Sequence, residues 1–356
     1  MRTIALEEHF WTPELAAAPG TGLLARAGGQ RLDEALRDLD KARLADMDAA
    51  GIDLQVVSHV QPAAQGVPGD AGVTAARQAN DYLAAALARH PDRLAGFATL
   101  PTASPQAAAG ELKRAVGELG FVGGLLNSTL GTDGAFLDDP RFDPLLACFE
   151  SLDVPLYLHP APPPAALRSV LFDGLAPAVA GALATNSWGW HAEAGLHALR
   201  MVVSGVFDRH PGLRLIIGHC GEMIPFMLAR IDQMMPPSVT GLGAPVSEYF
   251  LRHVWVTTSG MFSLPPVLCA IAVFGVDRVL FSVDYPFGAH ADGRAMLDAL
   301  PLSPADKAKI AGGNAERVLG LGSGSASGSD SGSDSASDSA SASASAKAWS
   351  RTAVAH

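Results

Sequence analysis

The chain has 356 residues, 48% of them hydrophobic, with 25 Lys plus Arg against 36 Asp plus Glu, a formal charge of −11. That length accommodates one large barrel, and the acidic balance argues against a nucleic-acid or anionic-membrane surface, which needs clustered positive charge. A small anionic substrate stays open, because one metal ion outweighs distant surface carboxylates.

The N-terminal MRTIALEEHFW reaches Glu7, Glu8 and His9 before any long apolar run, so it does not read as a secretory signal. The uncharged stretch from Val254 to Val276 is broken by Thr257-Thr258-Ser259-Gly260 and Pro265-Pro266, and reads as strand, loop and helix rather than a membrane span. A soluble, cytoplasmic protein is expected. Cys148, Cys220 and Cys269 lie far apart and define neither a disulfide framework nor a CxxC site.

Short apolar runs recur at Thr3–Leu6, Leu54–Ser58, Leu94–Leu100, Phe121–Leu126, Val154–Leu158, Leu213–Gly218, Val254–Thr258 and Val279–Val283. Amphipathic or Ala/Leu-rich intervals separate them: Leu32–Ala49, Thr74–His90, Pro105–Leu119, Pro140–Ser151, Ala192–Phe207, Met223–Met235, Pro265–Phe274 and Pro304–Leu319. This alternation predicts an α/β (β/α)8 barrel over residues 1–320, with an open doubly wound sheet as the other arrangement. Ser303 and Pro304 suit the cap and first position of the last helix. Residues 321–356 are a Gly/Ser/Ala/Asp low-complexity tail expected to be disordered, because almost nothing in it repays the entropy of ordering.

In a parallel barrel the carboxyl ends of the strands converge on one mouth. Glu7 and His9 end the first run, His159 the fifth, His219 the sixth and Asp284 the eighth. Strand alternation sends Glu7 and His9 to one face and Glu8 to the other. Glu7, His9, His159 and Asp284 then form an N/O donor set suited to zinc, with manganese as the alternative. Each residue alone has a plainer explanation: a hydrogen-bonded strand-end histidine, or an aspartate organising the turn before Tyr285-Pro286. Together, dispersed roles would leave unpaired charge in a confined mouth, which is costly.

His219 is followed three residues on by Glu222, which can fix its tautomer or merely favour a helix start. Arg230 and Asp232 read equally as a substrate clamp or as solvent-facing charges. His290, on a glycine-containing loop, and His59 are further candidates for substrate contact. Glu193 and His197 have the i,i+4 spacing of a helical pair. His90 and His210 are expected to be exposed. No nucleotide-binding glycine turn, P-loop or GxSxG elbow is present.

The segments ALEEHF (5–10), DVPLYLHP (153–160), SGVFDRHPGLRLIIGHCGE (204–222), VTTSG (256–260) and DRVLFSVDYPF (277–287) occur in this order. With them the chain resembles the amidohydrolase-2 branch of the metal-dependent amidohydrolase superfamily, most closely its γ-resorcylate and 2,3-dihydroxybenzoate decarboxylases. The resemblance implies that Glu7, His9, His159 and Asp284 hold the metal and that His219, oriented by Glu222, is the active-site imidazole. It further implies that Asn127 and Phe287 lie beside the substrate ring and that the protein is a homodimer or homotetramer. The implied reaction is non-oxidative decarboxylation of an ortho-hydroxybenzoate. Asp284, with a pKa raised by its confined setting, would deliver a proton to the ring carbon. The Pro160-Ala161-Pro162-Pro163-Pro164 loop and Trp188-Gly189-Trp190 depart from the γ-resorcylate pattern, which suggests a different aromatic acid. A metal-dependent amidohydrolase or lactonase of the same fold is the alternative activity, and a barrel retained only for binding is a third.

Overall fold

In a computed structural model, residues 1–16, 22–128, 130 and 134–322 are described. Nine parallel segments build the sheet: β1 (Ile4–Phe10), β2 (Leu54–His59), β3 (Leu94–Gly96), β4 (Ala98–Thr99), β5 (Gly124–Asn127), β6 (Leu156–His159), β7 (Leu215–Ile217), β8 (Val254–Thr257) and β9 (Val279–Leu280). They run in the orders β1-β2-β3 and β4 through β9. β3 and β4 are two halves of one stave meeting at Phe97, whose N–H donates to Val57 O at 3.0 Å while Ala98 N–H donates to Gly123 O at 2.9 Å. Closure comes from Leu6 N–H donating to Phe281 O at 3.4 Å. Eight staves in a ring make the (β/α)8 barrel.

Side-chain alternation builds its two layers. Ile4, Leu6, Leu54, Val56, Phe97, Leu125, Tyr157, Ile216 and Leu280 fill the interior, and Ala315, Val318 and Leu319 of helix Asn314–Leu319 plug the floor. Alternate residues such as Leu156, Leu158, Leu215, Ile217, Val254 and Val256 face the helices. Helix Pro304–Ala308 opens with Ser303 Oγ accepting Asp306 N–H at 3.1 Å, as the sequence predicts. Its predicted continuation to Leu319 passes through a widened turn, Lys309–Gly313.

Four helices of eight residues or more lie outside the predicted set: Ala165–Phe172, Pro177–Ala184, Val246–His253 and His290–Ala299. The last takes in His290, which the sequence places on a glycine-containing loop, and it runs through Gly293. That glycine is needed: a Cβ there would stand 2.8 Å from Val283 Cγ2, where the helix lies against the residues following β9. The low-complexity tail lies outside the described residues except for Leu321 and Gly322. No helix among the described residues is long and apolar enough to cross a membrane.

Candidate metal centre and active site

The four predicted donors converge. Single donor atoms of Glu7, His9, His159 and Asp284 all lie within 4.8 Å of one another. The route at β1 differs from simple alternation. Ile4 and Leu6 point inward, and continued alternation would bring in Glu8 instead of Glu7 and His9. The β1–β2 register slips between Ala5 and Glu8, and Glu7 takes φ 62°, a left-handed conformation that costs a non-glycine residue about 1 kcal/mol. This bulge reverses the parity and turns Glu7 and His9 into the mouth. His219 (φ 46°) and Asp284 (φ 68°) share that unusual backbone.

Glu8 points away and does structural work. Its Oε1 accepts Val283 N–H and its Oε2 accepts Tyr285 N–H, both at 2.9 Å, gripping the amides on either side of Asp284. Burial pushes its carboxyl up to about 8 against the pull of those amides.

The inner donors fit a divalent ion. Glu7 Oε1 and His9 Nε2 are buried without a hydrogen-bond partner. Glu7 Oε1 lies 3.4 Å from His159 Nε2, and His9 Nε2 lies 3.3 Å from Asp284 Oδ1. Donors about 2.0–2.1 Å from a tetrahedral ion stand about 3.3 Å apart, so one cation satisfies both orphaned atoms. Outer partners fix the ligands, as such sites require. His159 Nδ1–H donates to Asn127 Oδ1 at 3.0 Å, leaving Nε2 free to ligate, and Asn127 is itself held by Gln65. His9 Nδ1 pairs with Ser58 Oγ at 3.2 Å. Glu7 Oε2 accepts the Tyr157 and Thr257 hydroxyls. Gly218 makes room, since a Cβ there would stand 2.8 Å from Glu7 Oε2.

Beside this cluster runs a second chain of groups. His219 Nε2 stands 3.8 Å from Asp284 Oδ2, and its Nδ1–H donates to Glu222 Oε1 at 2.7 Å. Burial pushes His219 down, but Glu222 and Glu7 outweigh it and raise its pKa well above the usual imidazole range. Burial pushes Glu222 up, but the His219 and His191 imidazoles pull it to about 2. The expectation for Asp284 is corrected. Burial does push its carboxyl up, yet the facing His219 and His9 imidazoles outweigh that and hold it below the ordinary carboxylate range.

The remaining candidates separate. Phe287 stands edge-on to His9, ring centroids 5.9 Å apart, half-exposed at the mouth. Asn127 reaches His159, so its amide acts on one of the four candidate donors. His290 is not in the mouth: it is buried outside the barrel, stacked on Tyr285 at 4.2 Å, with Gln55 and Asp46 at its nitrogens. Arg230 is exposed on helix Ile224–Met234 and donates to Gln233. His59 is structural, its Nε2 accepting Thr12 N–H at 3.1 Å. His197 does not pair with Glu193; its ring joins Ser128 O to Leu137 N–H, both at 2.8 Å. His210 is buried beside Glu150 and Asp143 rather than exposed. Sequence reasoning missed His191, whose Nδ1–H donates to Glu222 Oε2 at 2.7 Å.

A barrel with this metal-ligating mouth defines a class of metal-dependent enzymes, and the comparisons name it. The sequence profile described as amidohydrolase matches residues 7–321, and the chain belongs to that family. The γ-resorcylate decarboxylase of Rhodococcus jostii is 40% identical, the alignment covering 88% of this chain and 96% of that one. The crystal structure of a 2,6-dihydroxybenzoate decarboxylase complexed with 2,6-dihydroxybenzoate superposes with a TM-score of 0.82 at 38% identity, covering 90% of this chain and all of the other (100%). The dihydroxybenzoic acid decarboxylase of a Polaromonas species, solved with manganese and 2-nitroresorcinol, gives 0.83 at 35% identity over 90% and 97% of the two chains.

Proposed function

We propose that this chain is a metal-dependent, non-oxidative decarboxylase of an ortho-hydroxybenzoate. The observation that carries this is the pair of buried, unpartnered donors, Glu7 Oε1 and His9 Nε2, converging with His159 and Asp284 at a barrel mouth. Decarboxylase relatives spanning nearly the whole chain support it. Glu7, His9, His159 and Asp284 would hold a divalent ion, which would supply Lewis-acid stabilisation of negative charge on the substrate. Manganese in the Polaromonas relative favours that ion over zinc, and reconstitution of stripped protein with each metal decides between them.

The chain's own groups then act as follows. Asp284, 3.8 Å from the imidazole of His219, carries a proton to the ring carbon bearing the carboxylate. A C–H bond forms there; the bond to the carboxyl carbon breaks, its electrons restore the aromatic ring, and carbon dioxide leaves. Because Asp284 is held ionised in the free protein, it takes up this proton from its imidazole neighbour or solvent in each turnover. His219 holds the phenolic hydroxyl and favours negative charge on the ring. Phe287 borders the ring and limits water. Incubation of metal-replete protein with a panel of hydroxybenzoates should release carbon dioxide from at least one ortho-hydroxy acid. Release from none, with turnover of amides or lactones instead, would replace this proposal by the hydrolase.

Two further parts of the proposal concern the whole chain. Residues 1–320 carry the activity and 321–356 are dispensable, so a chain ending at residue 321 should keep wild-type kcat/KM; a large loss would reject this division. The protein also self-associates. Exposed Leu167, Val170, Leu171 and Val179 on the paired helices Ala165–Phe172 and Pro177–Ala184 form an apolar surface suited to burial against a second copy. Light scattering should give a dimer or tetramer mass.

A further inference from the structure

We infer that His191 is a positioning residue for this reaction, setting the orientation of the active-site imidazole His219 through Glu222. The inference rests on the decarboxylase proposal for its catalytic consequence, and on geometry alone for the linkage.

Glu222 is fully buried, and each of its oxygens is held by a different ring. His219 Nδ1–H donates to Oε1 and His191 Nδ1–H donates to Oε2, both at 2.7 Å, the short range of charge-assisted bonds. The two rings stand 4.7 Å apart, edge to face. A carboxylate pinned at one oxygen only can rotate; pinned at both, it presents Oε1 to His219 in one direction. The other ring nitrogen of His191, Nε2, lies 3.0 Å from Asn186 O.

The local sequence is shaped to bring His191 there. It lies in the first turn of helix Gly189–Val203, just after the paired helices Ala165–Phe172 and Pro177–Ala184. Gly189 is required at the start, where a Cβ would stand 2.5 Å from Ala184 O. Gly195, one turn beyond His191 on the same face, is required too: a Cβ there would stand 2.4 Å from Glu222 O. The helix therefore lies directly on the His219–Glu222 turn, and the glycine contact and the imidazole contact sit four residues apart. A histidine that merely capped a helix would not need this close approach.

The test uses full-length, metal-loaded protein and two replacements. His191→Asn keeps an N–H donor two bonds from Cβ, where Nδ1 stands; His191→Leu keeps bulk without a donor. His191→Leu should lower kcat about 10–100-fold with KM little changed, the usual penalty for losing an outer-shell partner. His191→Asn should recover most of that loss. Gly195→Ala should behave like His191→Leu, because it lifts the helix off the turn. A readout free of turnover is the low-field proton resonance of His219 Nδ1–H in zinc-loaded, histidine-labelled protein. It should persist in His191→Asn and shift or broaden in His191→Leu. Wild-type kcat in His191→Leu, or equal loss in both variants with the resonance unmoved, overturns the inference. If the unaltered protein decarboxylates nothing, the decarboxylase proposal falls by itself, and the resonance still decides whether His191 orients His219.

Discussion

Asp284 meets three constraints at once: its Oδ1 is 3.3 Å from His9, its Oδ2 is 3.8 Å from His219, and its flanking amides are gripped by Glu8. Replacing it by Asn removes the proposed proton carrier while keeping the shape. Turnover should fall about 10²–10⁴-fold, the range for a lost general acid, with part of the metal retained by elemental assay. Near-normal rates would remove Asp284 from the chemistry. Glu8→Ala tests the grip separately. It leaves two amide N–H groups without their acceptor, costing about 1–3 kcal/mol each where buried, and frees Asp284 to drift. The denaturation midpoint should drop, and metal should be lost on dialysis about 10–100-fold more readily; unchanged retention would mean that the bulge alone places Asp284. The four inner donors were legible because each terminates an apolar run. Glu8 and His191 were not: a residue pointing away from a mouth, and one arriving on a helix after an unrecognised insertion, carry no local signal. The ionisation of Asp284 was misjudged because the sequence brings His9 and His219 to the same mouth without giving their distances from its carboxylate, 3.3 and 3.8 Å, at which their pull outweighs burial.

At the scale of elements, the barrel strands were legible because buried parallel strands are near-continuous apolar runs. Helices Ala165–Phe172 and Pro177–Ala184 were not, since exposed Leu167, Val170, Leu171 and Val179 erase the polar face that marks a surface helix. The bulge in β1 also escaped: alternation predicted the right pair of residues, but the inward positions of Ile4 and Leu6 show that a parity change was needed. The floor has its own constraint. In the widened turn Lys309–Gly313, Gly312 lies so close to the start of β1 that a Cβ would stand 2.5 Å from Arg2 O. Gly312→Ala should therefore destabilise the barrel by about 1–3 kcal/mol, the range for overpacking, with little direct effect on the mouth at the opposite end. Urea denaturation measures the first and kcat/KM the second. An unchanged midpoint would show that this end of the barrel yields at no cost.

For the molecule as a whole, acid should be the weak side. Burial lowers the pKa of His59 and of His197 from the usual 6.5 to about 4. Each has a fixed tautomer: Nδ1–H donates to a carbonyl, Val60 O or Ser128 O, while Nε2 accepts an amide, Thr12 N–H or Leu137 N–H. Protonation would set a donor against each of those amides. Between pH 4 and 6.5 the unfolded chain thus binds more protons at these positions than the native one, so stability rises with pH across that window and is lost as pH falls through it. Each group contributes a slope of up to about 1.4 kcal/mol per pH unit inside the window. His197→Gln keeps an acceptor near the Nε2 position without the titrating ring, and should flatten the slope by close to one proton relative to wild type. Comparing the two chains by urea denaturation at several pH values cancels the histidines of the mouth, which both retain. Equal slopes would mean that His197 binds its proton as readily in the native fold as in the open chain, and that its contacts with Ser128 O and Leu137 N–H tolerate the charge.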